Sequence, residues 1–270
     1  MRGKARRHGG TEGRGGNAET RKRRNTREQE ARKGLNRQRR VAVVTGTRAE
    51  YGLLRSTMEE IVKRPSLRLQ LVVTGTHLLK KFGYTVRDIV RDGWRVDARV
   101  RMQVGDDSPL DQAEGLARGV AGIARYVERA RTDIVVVLGD RIEAMAGALA
   151  GVTTGRLVAH IHGGDVAPGD FDDSLRHAMT KLAHLHLTAT RAARRRIIRM
   201  GESLQRVHVV GAPGLDRLAE LVEEYRRSEP GAATPGHAAI RSLPLAALKR
   251  PRALIVQHPC GRRAAHERRV

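Results

Sequence analysis

The 270-residue chain has a single cysteine, Cys260, one tryptophan and two phenylalanines, and aromatic residues make up only 3% of it. One thiol excludes an internal disulfide framework and a cysteine-based zinc site, and leaves Cys260 as a bystander thiol. With so few rings, a core must be built from Val, Leu, Ile and Ala, and a hydrophobic content of 40% is enough for that. No apolar run is long enough to span a membrane. The N-terminal region has no apolar h-region, so it does not read as a secretory signal. The expected location is the cytoplasm.

Acidic residues are also scarce, with 29 Asp and Glu against 52 Lys and Arg, for a net charge of +23. A surplus of that size would ordinarily point to nucleic acid. Its distribution argues otherwise, because residues 1–40 alone hold 15 Lys/Arg against 4 Glu. That stretch has almost no apolar content to offset the entropy of ordering, so residues 1–39 read as a basic disordered tail. The tail has no aromatic interleaving and no recognition motif. Any nucleic-acid contact through it is expected to be non-specific and steeply salt-dependent.

From residue 40 onward, short β-branched runs appear at 40–46, 69–75, 133–140, 156–164, 186–190, 206–213 and 252–259. Most are continuously apolar rather than alternating, which indicates strands buried on both faces. Helical patterns lie between them at 50–63, 85–92, 111–130, 141–151, 174–185, 191–200 and 214–227. Strands alternating with helices predict an α/β fold, a Rossmann-type doubly wound parallel sheet. Residues 40–225 read as one such domain and 226–249 as a Pro/Gly/Ala-rich linker. Residues 250–270 read as the start of a second, truncated Rossmann-like domain.

In open parallel sheets ligands bind beyond the carboxyl ends of the strands. Arg48, His77, Asp140, Arg141, His162, Asp165 and His258 all fall at such ends. VVTGTRAE (43–50) is a strand, a Gly turn and a helix start. Its backbone N–H groups and Arg48 suit an anion, although it is neither G-x-G-x-x-G nor a Walker loop. Residues 160–186, HIHGGDVAPGDFDDSLRHAMTKLAHLH, concentrate five of the eleven histidines and four aspartates.

Metal binding and metal-free acid/base chemistry compete for that stretch. His160 and His162 are two apart on a strand, and His177 and His184 are seven apart on a helix. However, His-Glu-x-x-His is absent and Lys181 shares the helical face, which counts against a divalent ion. His184 and His186 read as packing or surface residues. Asp172, Asp173 and Ser174 precede a helical run, where an N-cap role for Asp173 competes with a catalytic one. Carboxylates converging in one cleft can become one acid and one base, with His162 and His258 as further candidate acid/base groups. Arg48, Arg141 and Arg176 would draw in an anionic substrate.

Six segments carry a resemblance: VVTGTRAEYGLL (43–54), LVVTGTHLLKKFGYT (71–85), VVVLGDRIEAMAGALA (135–150), AHIHGGDVAPGDFDDSLRHAMTKLAHLH (159–186), RVHVVGAPGLD (206–216) and IVQHP (255–259). In this order they resemble the UDP-N-acetylglucosamine 2-epimerase family, and in particular its hydrolysing branch. The resemblance implies a glycosyltransferase-B-like fold with a UDP-sugar between two domains, no metal and no cofactor. It also implies UDP elimination through a 2-acetamidoglucal and rehydration to N-acetylmannosamine or a diacetamido analogue, for sialic- or legionaminic-type acids.

By resemblance the catalytic set is Asp140, Asp172, His162 and His258, with Asp172 matched after a one-residue insertion. Arg48, His77, Arg141, Asp165, Asp173, Arg176 and His177 are the expected substrate-binding set. His162 stands where several members carry a catalytic Glu, and Asp165 where Glu is usual. The family's second domain, which grips the uridine, continues beyond the motif that ends here. The alternatives are a non-hydrolysing epimerase and an inactive sugar-nucleotide-binding domain. Homo-oligomerisation is in keeping with the family.

Overall fold

The computed structural model describes residues 37–104, 108–166 and 171–227. The strand expected at 252–259, His258, Cys260, the linker and nearly all of the basic tail lie outside the described residues. Seven strands are seen: β1 (Arg39–Thr45), β2 (Leu67–Val73), β3 (Ala98–Arg99), β4 (Ile134–Leu138), β5 (Leu157–Ile161), β6 (Leu185–Thr188) and β7 (Val207–Val209). They form one sheet in the order β3-β2-β1-β4-β5-β6-β7, with every pairing parallel. The helices are α1 (Arg48–Lys63), α2 (Val86–Arg91), α3 (Pro109–Arg129), α4 (Ile142–Thr153), α5 (Asp172–Leu182), α6 (Arg191–Arg199) and α7 (Asp216–Arg227).

The alternating residues of β1 show why the strands read as unbroken apolar runs. Val41 and Val43 belong to a core layer with Leu54, Met58, Leu71 and Ile89, under α1 and α2. Ala42 and Val44 belong to the opposite layer with Ile123, Val135, Val137 and Met145, under α3 and α4. Both faces are covered, so neither can alternate with polar residues. Truncating a side chain such as Leu54, fully buried in the first layer, costs about 2–5 kcal/mol.

The Ala- and Gly-rich α4 sits close on the sheet. A Cβ on Gly147 would lie 2.8 Å from Val137, and one on Gly151 would lie 2.6 Å from Val158. Side-chain oxygens cap three helices: Thr47 at α1, Ser108 at α3 and Thr190 at α6 each accept a backbone N–H.

The expected alternation is found, with boundaries shifted by a few residues. Two differences bear on function. Strand β3 was not anticipated, because two residues at a sheet edge carry no periodicity. Helix α5 begins at Asp172 rather than at Ser174 and ends at Leu182 rather than at 185. Asp173 is therefore not the N-cap. That position is Phe171, which makes no side-chain cap, and Asp172 and Asp173 occupy the first turn, where the helix dipole favours anions. From β1 the sheet extends to β2 and β3 on one side and to β4 through β7 on the other. The topological switch point, where a crevice opens, therefore lies between β1 and β4.

Candidate active site

At the end of β1 the chain turns through Gly46 and Thr47 into α1. Thr47 Oγ1 accepts the Glu50 N–H at 3.3 Å, and Glu50 folds back so that Oε2 accepts the Gly46 N–H at 2.7 Å. This is close to a T-x-x-E capping box, displaced by one residue at the reciprocal bond. Arg48 is exposed at the first helical position, beside the end of β1. The other Glu50 oxygen, Oε1, is buried without a hydrogen-bond partner. Burial, reinforced by Glu143, pushes the Glu50 carboxyl up to about 8.

The β4–α4 turn faces this one across the switch point. Asp140 is half-buried, and Arg141 is the N-cap residue of α4, with no side-chain capping bond to the helix backbone. Its Nε donates to Glu143 Oε2 at 3.2 Å. Glu143 is fully buried, and its Oε1 accepts from Gln103 Nε2 at 3.4 Å. Partial burial works against the Arg141 charge, but the carboxylates of Glu143, Glu50 and Asp172 outweigh it and raise its pKa above the ordinary value. Asp172 on α5 and Arg141 on the β4–α4 turn are thus within electrostatic reach of one another.

Strand β5 delivers the third group. His160, inside the strand, is fully buried. Its Nε2 donates to the Gly139 carbonyl at 2.7 Å, and Thr180 lies 3.4 Å from its Nδ1. Burial lowers its pKa to about 4, so it is neutral and braces the peptide just before Asp140. His162 follows the strand with φ of 62°, a left-handed conformation that a non-glycine residue adopts at a cost. Its Nδ1 is 2.9 Å from Asp165 Oδ2. His160 and His162 therefore engage different partners and do not form a ligand pair. Helix α5 then returns Arg176 to Asp140, in an ion pair that joins the helix to the β4 loop.

The structure brings Arg48, Asp140, Arg141, His162, Asp165, Asp172, Asp173 and Arg176 to the carboxyl edge of the sheet. One expectation is corrected. His77 is completely buried, with Nδ1 2.7 Å from Thr85 Oγ1 and Nε2 3.3 Å from Thr45 Oγ1. Both nitrogens are used and burial lowers the pKa to about 4, so His77 packs the core beneath the edge instead of meeting a substrate. His177 is half-buried on α5 with its Nδ1 enclosed and unbonded. His184 Nδ1 accepts the Val158 N–H at 3.1 Å, and His186 is buried, in line with packing roles.

Glu50, Glu143 and His160 were not on the expected site list. Glu143 carried a signal, as the one charged residue in the α4 sequence IEAMAGALAGVT. Among the described residues, no group of three or more His, Cys, Asp or Glu could hold a metal ion. Nor is any helix there long and apolar enough to cross a membrane.

Fold and site together define a doubly wound, Rossmann-type α/β domain of glycosyltransferase-B-like type, with its ionisable groups gathered at the switch point. The chain belongs to the UDP-N-acetylglucosamine 2-epimerase family, whose model matches residues 59–268. It is 37% identical over 193 residues to the UDP-N-acetylglucosamine 2-epimerase of Neisseria meningitidis serogroup B, covering 69% of this chain and 50% of that protein. It is 36% identical over 188 residues to the hydrolysing UDP-N,N'-diacetylbacillosamine 2-epimerase of Legionella pneumophila, covering 70% and 50%. The chain thus spans about half the length of these curated relatives. A crystal structure of a UDP-N-acetylglucosamine 2-epimerase superposes with a TM-score of 0.61 at 20% identity, covering 76% of this chain and 55% of that one, and shares the fold.

Proposed function

We propose that this chain carries the catalytic half-site of a hydrolysing UDP-2-acetamido-sugar 2-epimerase. The observation that supports it best is the cluster at the switch point. Asp140 is tied to Arg176, Asp172 lies within reach of the Arg141 charge, and His162 stands beside Asp165. The reaction needs a base for the sugar C2 proton, a cation for the departing diphosphate, and an acid/base group for water. In the first half, a carboxylate removes the C2 proton, its electron pair forms the C1=C2 bond, and the C1–O bond breaks to release UDP. In the second, water adds hydroxyl to C1 and a proton to C2 on the opposite face, giving the free 2-epimer.

Asp140 is assigned to the elimination and Asp172 to the second proton transfer, with His162 assisting hydration. Arg48 and Arg141 would offset the charge that collects on UDP as C1–O breaks. His258, assigned to the same phosphate, lies outside the described residues. The relatives' names extend the substrate class to UDP-N-acetylglucosamine and to diacetamido sugars, which would put the product among precursors of sialic- or legionaminic-type acids.

The test is an NMR time course with UDP-N-acetylglucosamine and, separately, a UDP-diacetamido sugar, without added metal. Free UDP with the 2-epimeric free sugar supports the reading. A UDP-linked 2-epimer would move the chain to the non-hydrolysing branch. A second reading is a sugar-nucleotide-binding domain without turnover. It predicts UDP binding with no product.

A further inference from the structure

Two buried carboxyls, Glu50 and Glu143, lie behind the site and have no assigned role. They come from different helices, α1 and α4, and meet under the two turns that flank the switch point. The backbone is shaped around them. A Cβ on Gly46 would fall 2.3 Å from Glu143 Cγ, and one on Gly75 would fall 2.7 Å from Glu143 Oε1. Gly75 also has φ of 57°, so neither steric space nor backbone conformation there suits another residue. Two glycine turns therefore leave room for one acidic side chain, which is a large structural commitment for a group of no consequence.

Burying a charge is costly unless it is paired and hydrogen-bonded. Glu143 is paired, since Oε2 takes the Arg141 Nε–H and Oε1 takes a Gln103 amide proton. Arg141 itself is half-exposed, with 48% of its side chain open while Glu143 is sealed. A guanidinium anchored through Nε keeps its terminal nitrogens for a ligand, and fixing it beforehand removes the cost of ordering a long side chain on binding.

We propose that Glu143 is a positioning residue that anchors Arg141 through its Nε and presents the guanidinium to the nucleotide diphosphate, with Glu50 as a second buried carboxyl behind it. The role given to Arg141 rests on the function proposed above; the anchoring does not. The groups facing Glu50 are the Gly46 and Thr47 backbone from the β1–α1 turn, and Glu143 and Arg141 from α4 and its cap. Two negative charges here would compete for Arg141, so Glu50 disturbs the anchor when it ionises. That occurs on the alkaline side of neutrality, given its elevated pKa of about 8.

The test uses the full chain and two readouts. The first needs no ligand and follows the Arg141 Nε–H by proton–nitrogen NMR, assigned by its loss in Arg141→Lys. It should be protected from exchange at pH 7, lose that protection in Glu143→Gln, and shift as pH rises through about 8 in the wild type but not in Glu50→Gln. An unprotected Nε–H in the wild type, or one unaltered by Glu143→Gln, overturns the anchor. An absent shift overturns the part given to Glu50. Should Glu143→Gln not fold, the wild-type protection and the comparison with Glu50→Gln still decide.

The second readout is UDP affinity by calorimetry. Glu143→Gln should weaken it about tenfold, the size of one charge-assisted hydrogen bond. Adding Glu143→Gln to Arg141→Gln should cost nothing further. Full additivity of the two substitutions would contradict positioning. Failure of the wild-type chain to bind UDP would count against the proposed function and leave the NMR result to judge the anchor.

Discussion

The two halves of the carboxyl edge handle ionisable side chains in opposite ways. On the β1–β2 side, His77, Glu50 and the Glu143 that reaches across to them are sealed, and each makes at least one hydrogen bond to the fold. On the β4–β5 side, Asp140, His162 and Asp165 keep 23%, 21% and 29% of their side chains open while also being paired. Position at a strand end is common to both halves. What separates a supporting group from a reacting one is whether a ligand atom could reach it, and burial decides that.

The largest expected effect falls on the open half. Asp172→Asn should lower turnover at least about 100-fold, the usual scale of general acid–base catalysis, while the melting temperature stays within a few degrees. Steady-state rates and a thermal melt of the same sample check this, and a retained rate would remove Asp172 from the chemistry.

Next comes the ion pair that joins α5 to the β4 loop. Arg176→Met should destabilise the fold by about 2 kcal/mol, below the usual cost of breaking a fully buried pair because Asp140 is partly solvated. Urea unfolding measures it. Adding Asp140→Asn should recover part of the loss, since the carboxylate would no longer be left alone.

The sealed groups, together with His160 buried inside β5, should appear in the pH dependence of stability. His77 and His160 have pKa values lowered from 6.5 to about 4, so the unfolded chain binds more protons between those values, and stability rises with pH across that window. Glu50 acts oppositely. Its pKa rises from 4.5 to about 8, so the folded chain binds the extra proton and stability falls as pH climbs through that range. Between 4.5 and 6.5 the two histidines outweigh the one carboxyl, and above 6.5 only Glu50 remains of the three. Stability from these groups should therefore peak near pH 6.5, and Glu50→Gln should turn the decline above it into a plateau. Melts from pH 5 to 9 would show it, and an unchanged decline in Glu50→Gln would contradict the assignment.

The smallest effect sharpens the division most. His77→Gln should cost about 1 kcal/mol through lost buried hydrogen bonds and leave UDP affinity unchanged. His162→Gln should change turnover and barely move the melting temperature. Reversal of that pattern would put His77 at the substrate after all.

The alternation of strands and helices was legible in the sequence because both faces of the sheet are covered, which leaves unbroken runs such as VAVV and VVVL. The placement of Asp140, Arg141 and His162 followed from the same runs, because each marks where a strand stops. Strand β3 was not legible, since two edge residues impose no pattern. His77 was misread because a histidine after a strand looks the same in sequence whether it points out of the cleft or under it, and only Thr45 and Thr85, 32 and 8 residues away, decide which. The start of α5 was misread because Asp172 and Asp173 suit a cap and a first turn equally well. Glu143 could have been found by asking why an otherwise uncharged helix keeps one acid.

The most direct measurement is the reaction of UDP-N-acetylglucosamine with the full chain in deuterium oxide, followed by proton NMR. Elimination and rehydration require solvent hydrogen to enter at C2. The account predicts free UDP together with N-acetylmannosamine deuterated at C2, with the deuterated sugar lost in Asp172→Asn and UDP release lost in Asp140→Asn. Products retaining the original C2 proton, or equal product formation by Asp172→Asn, would contradict it.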